Sequence, residues 1–435
     1  MSTFHLNLSL MTPGHFRQAW RLPERDPLAY LDVDRFVSLA RLAEEAGIDA
    51  VFLGDAPALR GEIDSAPGTG LDPVVLLGHL AAVTEHLGII ATSSTTFNSP
   101  YNLARRFQAL DHVTKGRVAV NIVTTAAPAA AVNFGLASHP DKQTRYRRAW
   151  EFLDVVTRLW DSWEPDWLIA DKQAGRYADP DRIRPIDHVG EFFSVAGPLP
   201  VPPGPQGRPV VVQAGGSSGG LRLAADFADV VFTVAQTRER AVAFRDEVRS
   251  RVAGAGRDPE AVKVSLGVVV LIGKNRRDVQ ERLAELAETL PTEAIAARLL
   301  NDLGLDPDSF GLDDPITAAD LPAELPGSEF STGFGLALRG LITQGPITPR
   351  ELAVGSAGGS GHRLLAGTPA QIADDLADWF AAGAADGFTI MPADTDVDFE
   401  RFTRWVVPLL AERGLFRTDY PAGGLRGRLA PVPVG

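Results

Sequence analysis

Asp111-His-Val-Thr-Lys-Gly-Arg-Val-Ala-Val-Asn-Ile-Val-Thr-Thr125 is the stretch on which the fold turns. A helix end runs through a turn at Gly116 into a short apolar strand, Val118 to Ile122. The strand carries Asn121 near its end and releases Thr124 and Thr125 just beyond it. In parallel α/β proteins the C-terminal edge of the strands is where ligands bind. Polar groups delivered there by an apolar strand are therefore candidate ligand contacts.

The same unit repeats on both sides. Upstream, strands at 4–10, 50–53 and 87–91 alternate with helical patterns at 34–46, 73–86 and 101–112. The first of these helices places Phe36, Leu39, Ala40, Leu42 and Ala43 at helical spacing and stops at Gly47. Downstream lie a helix at 146–160, strands at 209–213, 229–233 and 262–272, and helices at 221–228, 238–252 and on to about 303. A strand at 387–391 and a helix at 399–413 close the pattern. Eight strands alternating with helices predict an α/β fold, a (β/α)8 TIM barrel, with a doubly wound open sheet as the alternative. Two stretches interrupt the alternation. One, about 163–201, is rich in Trp, Asp and Pro, with a hairpin expected near Glu191 to Val195. The other, about 304–367, is rich in Gly and Pro and is expected to be partly mobile. Both read as insertions in a single domain spanning 1–435. The tail after Thr418 is expected to be loose.

With 435 residues, 45% of them hydrophobic, the chain can bury a large core. A net charge of −13 and the lack of a dense Lys/Arg cluster argue against a nucleic-acid partner. Any bound anion must then be held by local donors rather than by the global field. With no cysteine, disulfides, thiolate catalysis and Cys-ligated metals are out of reach. The eight histidines lack metal-ligand spacing, so no metal is expected. No leader-like segment and no bilayer-spanning apolar run are visible, so the expectation is a cytoplasmic protein without a membrane partner.

The ends of the expected strands collect a polar set. They are Met11, Gly14 and His15; Gly54 and Asp55; Thr92 to Thr96; Asn121, Thr124 and Thr125; and Gly215-Gly-Ser-Ser-Gly-Gly220. The glycine loop can turn its N–H groups towards an anion, with Ser217 and Ser218 adding hydroxyls and the next helix adding its positive end. A plain glycine turn capped by serine explains the same residues equally well. The loop lacks both the lysine of a nucleotide P-loop and the spacing of a dinucleotide fingerprint. Asp55 reads either as a helix cap or arginine partner, or as a polar contact in a cleft. No GxSxG elbow is present. Neutral donors with little acid–base machinery suit an enzyme whose cofactor does the hard chemistry.

Ordered short motifs then narrow the class. They are Trp20-Arg-Leu-Pro23, Phe52-Leu-Gly-Asp55, Ser94-Thr-Thr96, Pro100-Tyr-Asn-Leu-Ala-Arg105, Asp111 to Arg117, Asn121-Ile-Val-Thr124, Asn133-Phe-Gly135, Arg145-Tyr146, Leu159 to Trp163, Gln213-Ala-Gly215, Gly367-Thr-Pro369 and Asp386-Gly-Phe388. In this order and spacing the chain resembles the flavin-dependent monooxygenases of the bacterial-luciferase-like superfamily. Within it, the chain is similar to the branch of nitrilotriacetate, dibenzothiophene-sulfone and long-chain-alkane monooxygenases. The resemblance implies a barrel that binds reduced FMN supplied by an NAD(P)H:flavin reductase. Oxygen would add to the flavin as a C4a-hydroperoxide and pass to a small organic substrate. It also implies that Asp55 contacts the flavin region and that Ser94, Thr95 and Asn121 line the ring side. Tyr146, Ser217 and Ser218, with Gly215 and Gly216 in the same loop, would hold the phosphate. Relatives are commonly dimers or tetramers, which implies a homo-oligomer. Two departures stand out. Relatives often carry His four residues before the matching tyrosine, where this chain has Lys142, with His139 nearby. They often carry Trp where this chain has Val120. Two other readings keep the fold: a deazaflavin (F420)-dependent hydride-transfer oxidoreductase, and a non-catalytic flavin-binding protein.

Overall fold

The computed structural model describes residues 4–59, 63–68, 70–323, 332–356, 358, 361–417 and 419–429. Its frame is eight parallel strands: β1 (His5–Ser9), β2 (Ala50–Leu53), β3 (Gly88–Ser94), β4 (Val118–Val123), β5 (Val210–Ala214), β6 (Val230–Thr233), β7 (Lys263–Ile272) and β8 (Gly387–Pro392). Each pairs with the next, and β8 pairs with β1, so the ring is closed and the open sheet is excluded. The α/β barrel of the sequence reading is therefore the fold. Both faces of every strand are covered. Ala50, Ile90, Ala119, Val210, Val212 and Val230 fill the inside, while Leu6, Leu8, Val51, Ile89 and Val120 pack outward against helices. That double burial is why most of the strands read as apolar runs, although β1 alternates Leu6 and Leu8 with Asn7 and Ser9.

Helices α1 (Val33–Glu45), α2 (Pro73–Ala82), α3 (Pro100–Val113), α4 (Lys142–Trp160), α5 (Ser218–Phe227) and α6 (Arg238–Gly254) surround the first six strands. Local chemistry sets their starts. The side chains of Asp32, Asp72, Asp141, Ser217 and Thr237 each accept a backbone N–H of the first turn. The cap at Asp141 starts α4 four residues earlier than expected, at Lys142. In the stretch that opened the reading, Asp111 accepts from Gln206 N at 3.0 Å and Gln206 Nε2 at 2.6 Å. Buried Arg117 donates to the carbonyls of Ala81, Thr84, Leu87 and Thr114. These two side chains lock the turn between α3 and β4 at the bottom of the barrel.

Two expectations need correction, while the hairpin expected near Glu191 is present as the pair His188–Val189 with Ser194–Val195. The same insertion carries a second antiparallel pair, Leu168–Asp171 with Arg176–Ala178. The 304–367 stretch contains helices Thr332–Ile342 and Pro349–Gly355 and a ninth strand, Arg363–Gly367. Residues 324–331, 357, 359 and 360 of that stretch lie outside the described residues. The ninth strand exists because β7 is ten residues long and overshoots the ring. Its last residues, Val268 to Ile272, offer a free edge that Arg363 to Gly367 takes up in parallel. Finally, the tail is not loose over its described part. Helix Gly424–Leu429 puts Leu425 and Leu429 into the apolar cluster at the barrel floor. Arg428 binds the Asp49 and His86 carbonyls, and Arg426 pairs with Asp229 at 2.7 Å. The signal was hidden because only two apolar residues, four apart, carry the contact.

Candidate active site

The glycine loop follows β5 and leads straight into α5. Ser217 caps α5 by accepting Gly220 N at 3.3 Å, and its hydroxyl donates to Tyr146 Oη at 2.9 Å. Tyr146 comes from α4, so two elements meet at one hydroxyl pair. The glycines are there for space. Gly215 has φ +148°, which side-chain-bearing residues rarely adopt. A Cβ at Gly219 would sit 2.7 Å from the Tyr146 ring. The loop thus presents backbone and hydroxyl donors at the N-terminal end of a ten-residue helix. Ser218 and Gly216 are exposed there, as is Lys142 one turn before Tyr146.

Along the same rim, Thr92 Oγ1 donates to the Leu53 carbonyl at 2.8 Å, so it must accept from Asn121 Nδ2 at 3.0 Å. That settles the amide's orientation. It leaves Asn121 Oδ1 buried with no partner among the described residues, and Gln213 Oε1 on β5 is in the same state. Buried acceptors without a donor are rare, and at a strand end each is open to a donor from a ligand or a water. Next to them, Ser94 Oγ accepts from Thr125 Oγ1 at 2.7 Å and from the N–H groups of Thr96 and Phe97. Thr95, also buried, donates its backbone N–H to the Val123 carbonyl at 2.9 Å. Asp55 follows β2 in a cleft of about 90 Å³ shared with Thr12, Arg17, Tyr30 and Phe36. Burial first, and then the Asp72 carboxylate, push its proton affinity above the usual carboxylate range. The rim therefore joins Tyr146 to Ser217, Ser94 to Thr125, and Asn121 to Thr92, with Asp55 in the cleft after β2.

On the far side of the barrel mouth, the sequence pointed to His15 but not to its neighbour His362. His15 Nε2 lies 3.0 Å from Ser9 Oγ, and its ring meets His362 edge-on at 6.2 Å. Burial, and to a lesser degree His362, lower the His15 pKa to about 3, so its ring is a neutral polar wall. Phe52 and Phe232 stack below at 6.2 Å, and Gly267 leaves the room that Phe232 and His362 occupy. His362 stands in the second insertion, just before the ninth strand, where no local pattern marks it. Among the described residues no His/Asp/Glu cluster is arranged to hold a metal ion. No helix among them is long and apolar enough to cross a membrane.

With this geometry in place, comparison with known proteins is decisive. The Luciferase-like monooxygenase family profile matches residues 7–386. The chain belongs to the luciferase-like monooxygenase family. It is 40% identical over 423 residues to nitrilotriacetate monooxygenase component A from Aminobacter aminovorans, covering 94% of this chain and 92% of that one. Among solved structures, EDTA monooxygenase from Chelativorans sp. BNC1 superposes with a TM-score of 0.82 at 34% identity, covering 98% of each chain. A riboflavin lyase solved with modified FMN and riboflavin superposes with a TM-score of 0.83 at 28% identity, covering 98% of this chain and 96% of that one. Relatives this similar over nearly the full length make the chain an enzyme, a monooxygenase of a flavin-dependent family.

Proposed function

We propose that this chain is the oxygenase component of a two-component system. It takes reduced FMN from a separate NAD(P)H:flavin reductase and, with O2, oxygenates a small organic substrate. The observation that carries the reading is the Ser217–Tyr146 hydroxyl pair on the glycine loop, on the same rim as the unpartnered Asn121 Oδ1. The residues fit the group. Hydroxyls of Ser217, Ser218 and Tyr146, with the amides of Gly215 and Gly216, suit a phosphate, because they are neutral donors at a positive helix end. Asn121 Oδ1 suits a ring N–H. Ser94 and Thr95 would border the ring, and Asp55, inclined to keep its proton, would contact its polar edge.

Bound reduced FMN would supply the electrons that activate O2. The protein's share is binding, orientation and exclusion of water. Tyr146 and Ser217 would anchor one end of the cofactor, and Asn121 the other. Phe52 and Phe232 below, and neutral His15 opposite, would keep bulk water from the reacting face. The chain is read as one barrel domain with two insertions, about 163–201 and 304–367, shaping the substrate pocket. We place it in the cytoplasm, where the reductase has NAD(P)H, as a dimer or tetramer. The name of the Aminobacter relative, a "component A", supports a partner protein.

The test is anaerobic titration with reduced FMN, followed by O2-dependent turnover in the presence of a flavin reductase. Saturation in the micromolar range and oxygenated product are expected. No binding at tens of micromolar, or saturation by reduced deazaflavin in place of FMN, would overturn the reading.

A further inference from the structure

We infer that His139 is a positioning residue that holds the ring-side wall of the flavin site in place. The inference rests on the proposed function in one respect only: that the Ser94–Thr125 rim faces the flavin ring. Thr125 sits just beyond β4 with φ +44°, a left-handed conformation that is a genuine outlier for a β-branched residue. Such a conformation is strained and persists only where its surroundings over-determine it. Two contacts do so here. Its hydroxyl donates to Ser94 Oγ at 2.7 Å, and its carbonyl lies 2.9 Å from His139 Nε2.

The chemistry of the partners fixes the imidazole. A carbonyl only accepts, so Nε2 must carry the hydrogen. A guanidinium only donates, so Nδ1 must accept from Arg145 NH1 at 2.9 Å. The Pro140 carbonyl also lies 2.9 Å from Nδ1, but with the ring hydrogen placed on Nε2 it takes its hydrogen bond from the same Arg145 nitrogen, at 2.6 Å. Arg145 is buried on α4, one residue before Tyr146 of the phosphate pair. His139 is thus a strut. It runs from the helix that carries Tyr146 to the strained residue whose hydroxyl fixes Ser94. Removing it frees the Thr125 carbonyl, lets the backbone relax out of the left-handed region and swings the hydroxyl off Ser94.

The experiment titrates reduced FMN and reduced riboflavin anaerobically into the full chain, following tryptophan fluorescence, for the wild type, His139→Ala, His139→Gln and Thr125→Val. Gln offers a donor and an acceptor spaced much like the two ring nitrogens. Val keeps the shape of Thr and drops its hydroxyl. His139→Ala and Thr125→Val should each weaken both flavins by the same factor, about tenfold, as expected for one well-placed hydrogen bond. His139→Gln should stay within about threefold of wild type, because both roles are kept. Wild-type affinity in folded His139→Ala or Thr125→Val overturns the inference. So does weakening of FMN alone, which would put the effect at the phosphate, or a Gln variant as poor as Ala. If the wild type binds neither flavin, the proposed function itself falls, and the role of His139 with it.

Discussion

At the residue scale, space and protonation decide what the site can do. Gly219 is small because Tyr146 lies over it. Gly219→Ala should push the Tyr146 ring aside, separate its hydroxyl from Ser217 and weaken reduced-FMN binding by about tenfold, as expected for the loss of one well-placed hydrogen bond. Gly254, with nothing within 4 Å of its Cβ position, is the matched control, and Gly254→Ala should bind as wild type. His15 makes a second prediction. Its folded pKa of about 3 lies below the ordinary 6.5, so the unfolded chain binds the proton more readily. Stability from this group is complete above pH 6.5 and is lost as pH falls towards 3. At pH 5 the loss is on the order of 2 kcal/mol. His15→Asn should flatten the fall in melting temperature between pH 7 and pH 5, and an unchanged slope would contradict it. Ser217 and Asn121 were legible from sequence because one stands in the loop after an apolar strand and the other near the end of one. Thr125 was collected as a strand-end residue, yet its strain was not legible, since φ depends on what grips its carbonyl from residue 139.

At the element scale, periodicity and caps carried most of the information. Most strands were readable because burial on both faces leaves apolar runs, β1 by its alternation, and the helix starts because Asp, Ser and Thr caps act within three residues. Of the elements that escaped, two depend on distant contacts. The ninth strand depends on how far β7 overshoots the ring, and the helix Gly424–Leu429 on a floor built from residues hundreds of positions away. That helix is the element with a measurable consequence. Leu425 is 2% exposed against Ala50, Ile90 and Val210, so Leu425→Ala leaves a cavity in the barrel floor. A loss of about 2–5 kcal/mol is expected. Urea unfolding should show a lower midpoint with an unchanged slope, whereas a loose tail would leave the midpoint where it was.

At the scale of the whole molecule, the barrel is tied shut by charge at the C-terminal rim of its strands. Asp398, fully buried in the helix after β8, accepts Ile272 N from the end of β7 at 2.9 Å and pairs with Arg282 at 2.6 Å. Arg25, in the loop after β1, pairs with Asp394 at 2.7 Å. Arg282→Leu strands a buried carboxylate across that closure and should cost about 3–5 kcal/mol. Adding Asp398→Asn to the same chain should recover part of that loss, because the uncompensated charge is gone. Equal stability of single and double variants in thermal melts would show that the pair does not bear on closure. Sequence by itself determined the parallel barrel, the rim that carries Asp55, Asn121 and Ser217, and the family to which the motifs belong, because each is written in local order: strand, turn, cap, helix. Only the tertiary structure decided that the ring closes through β8 and β1, that His15 meets His362 edge-on at the mouth, and that the tail plugs the floor. Those are contacts between residues far apart in the chain, and whether they form depends on the packing of the whole barrel, which no single segment encodes.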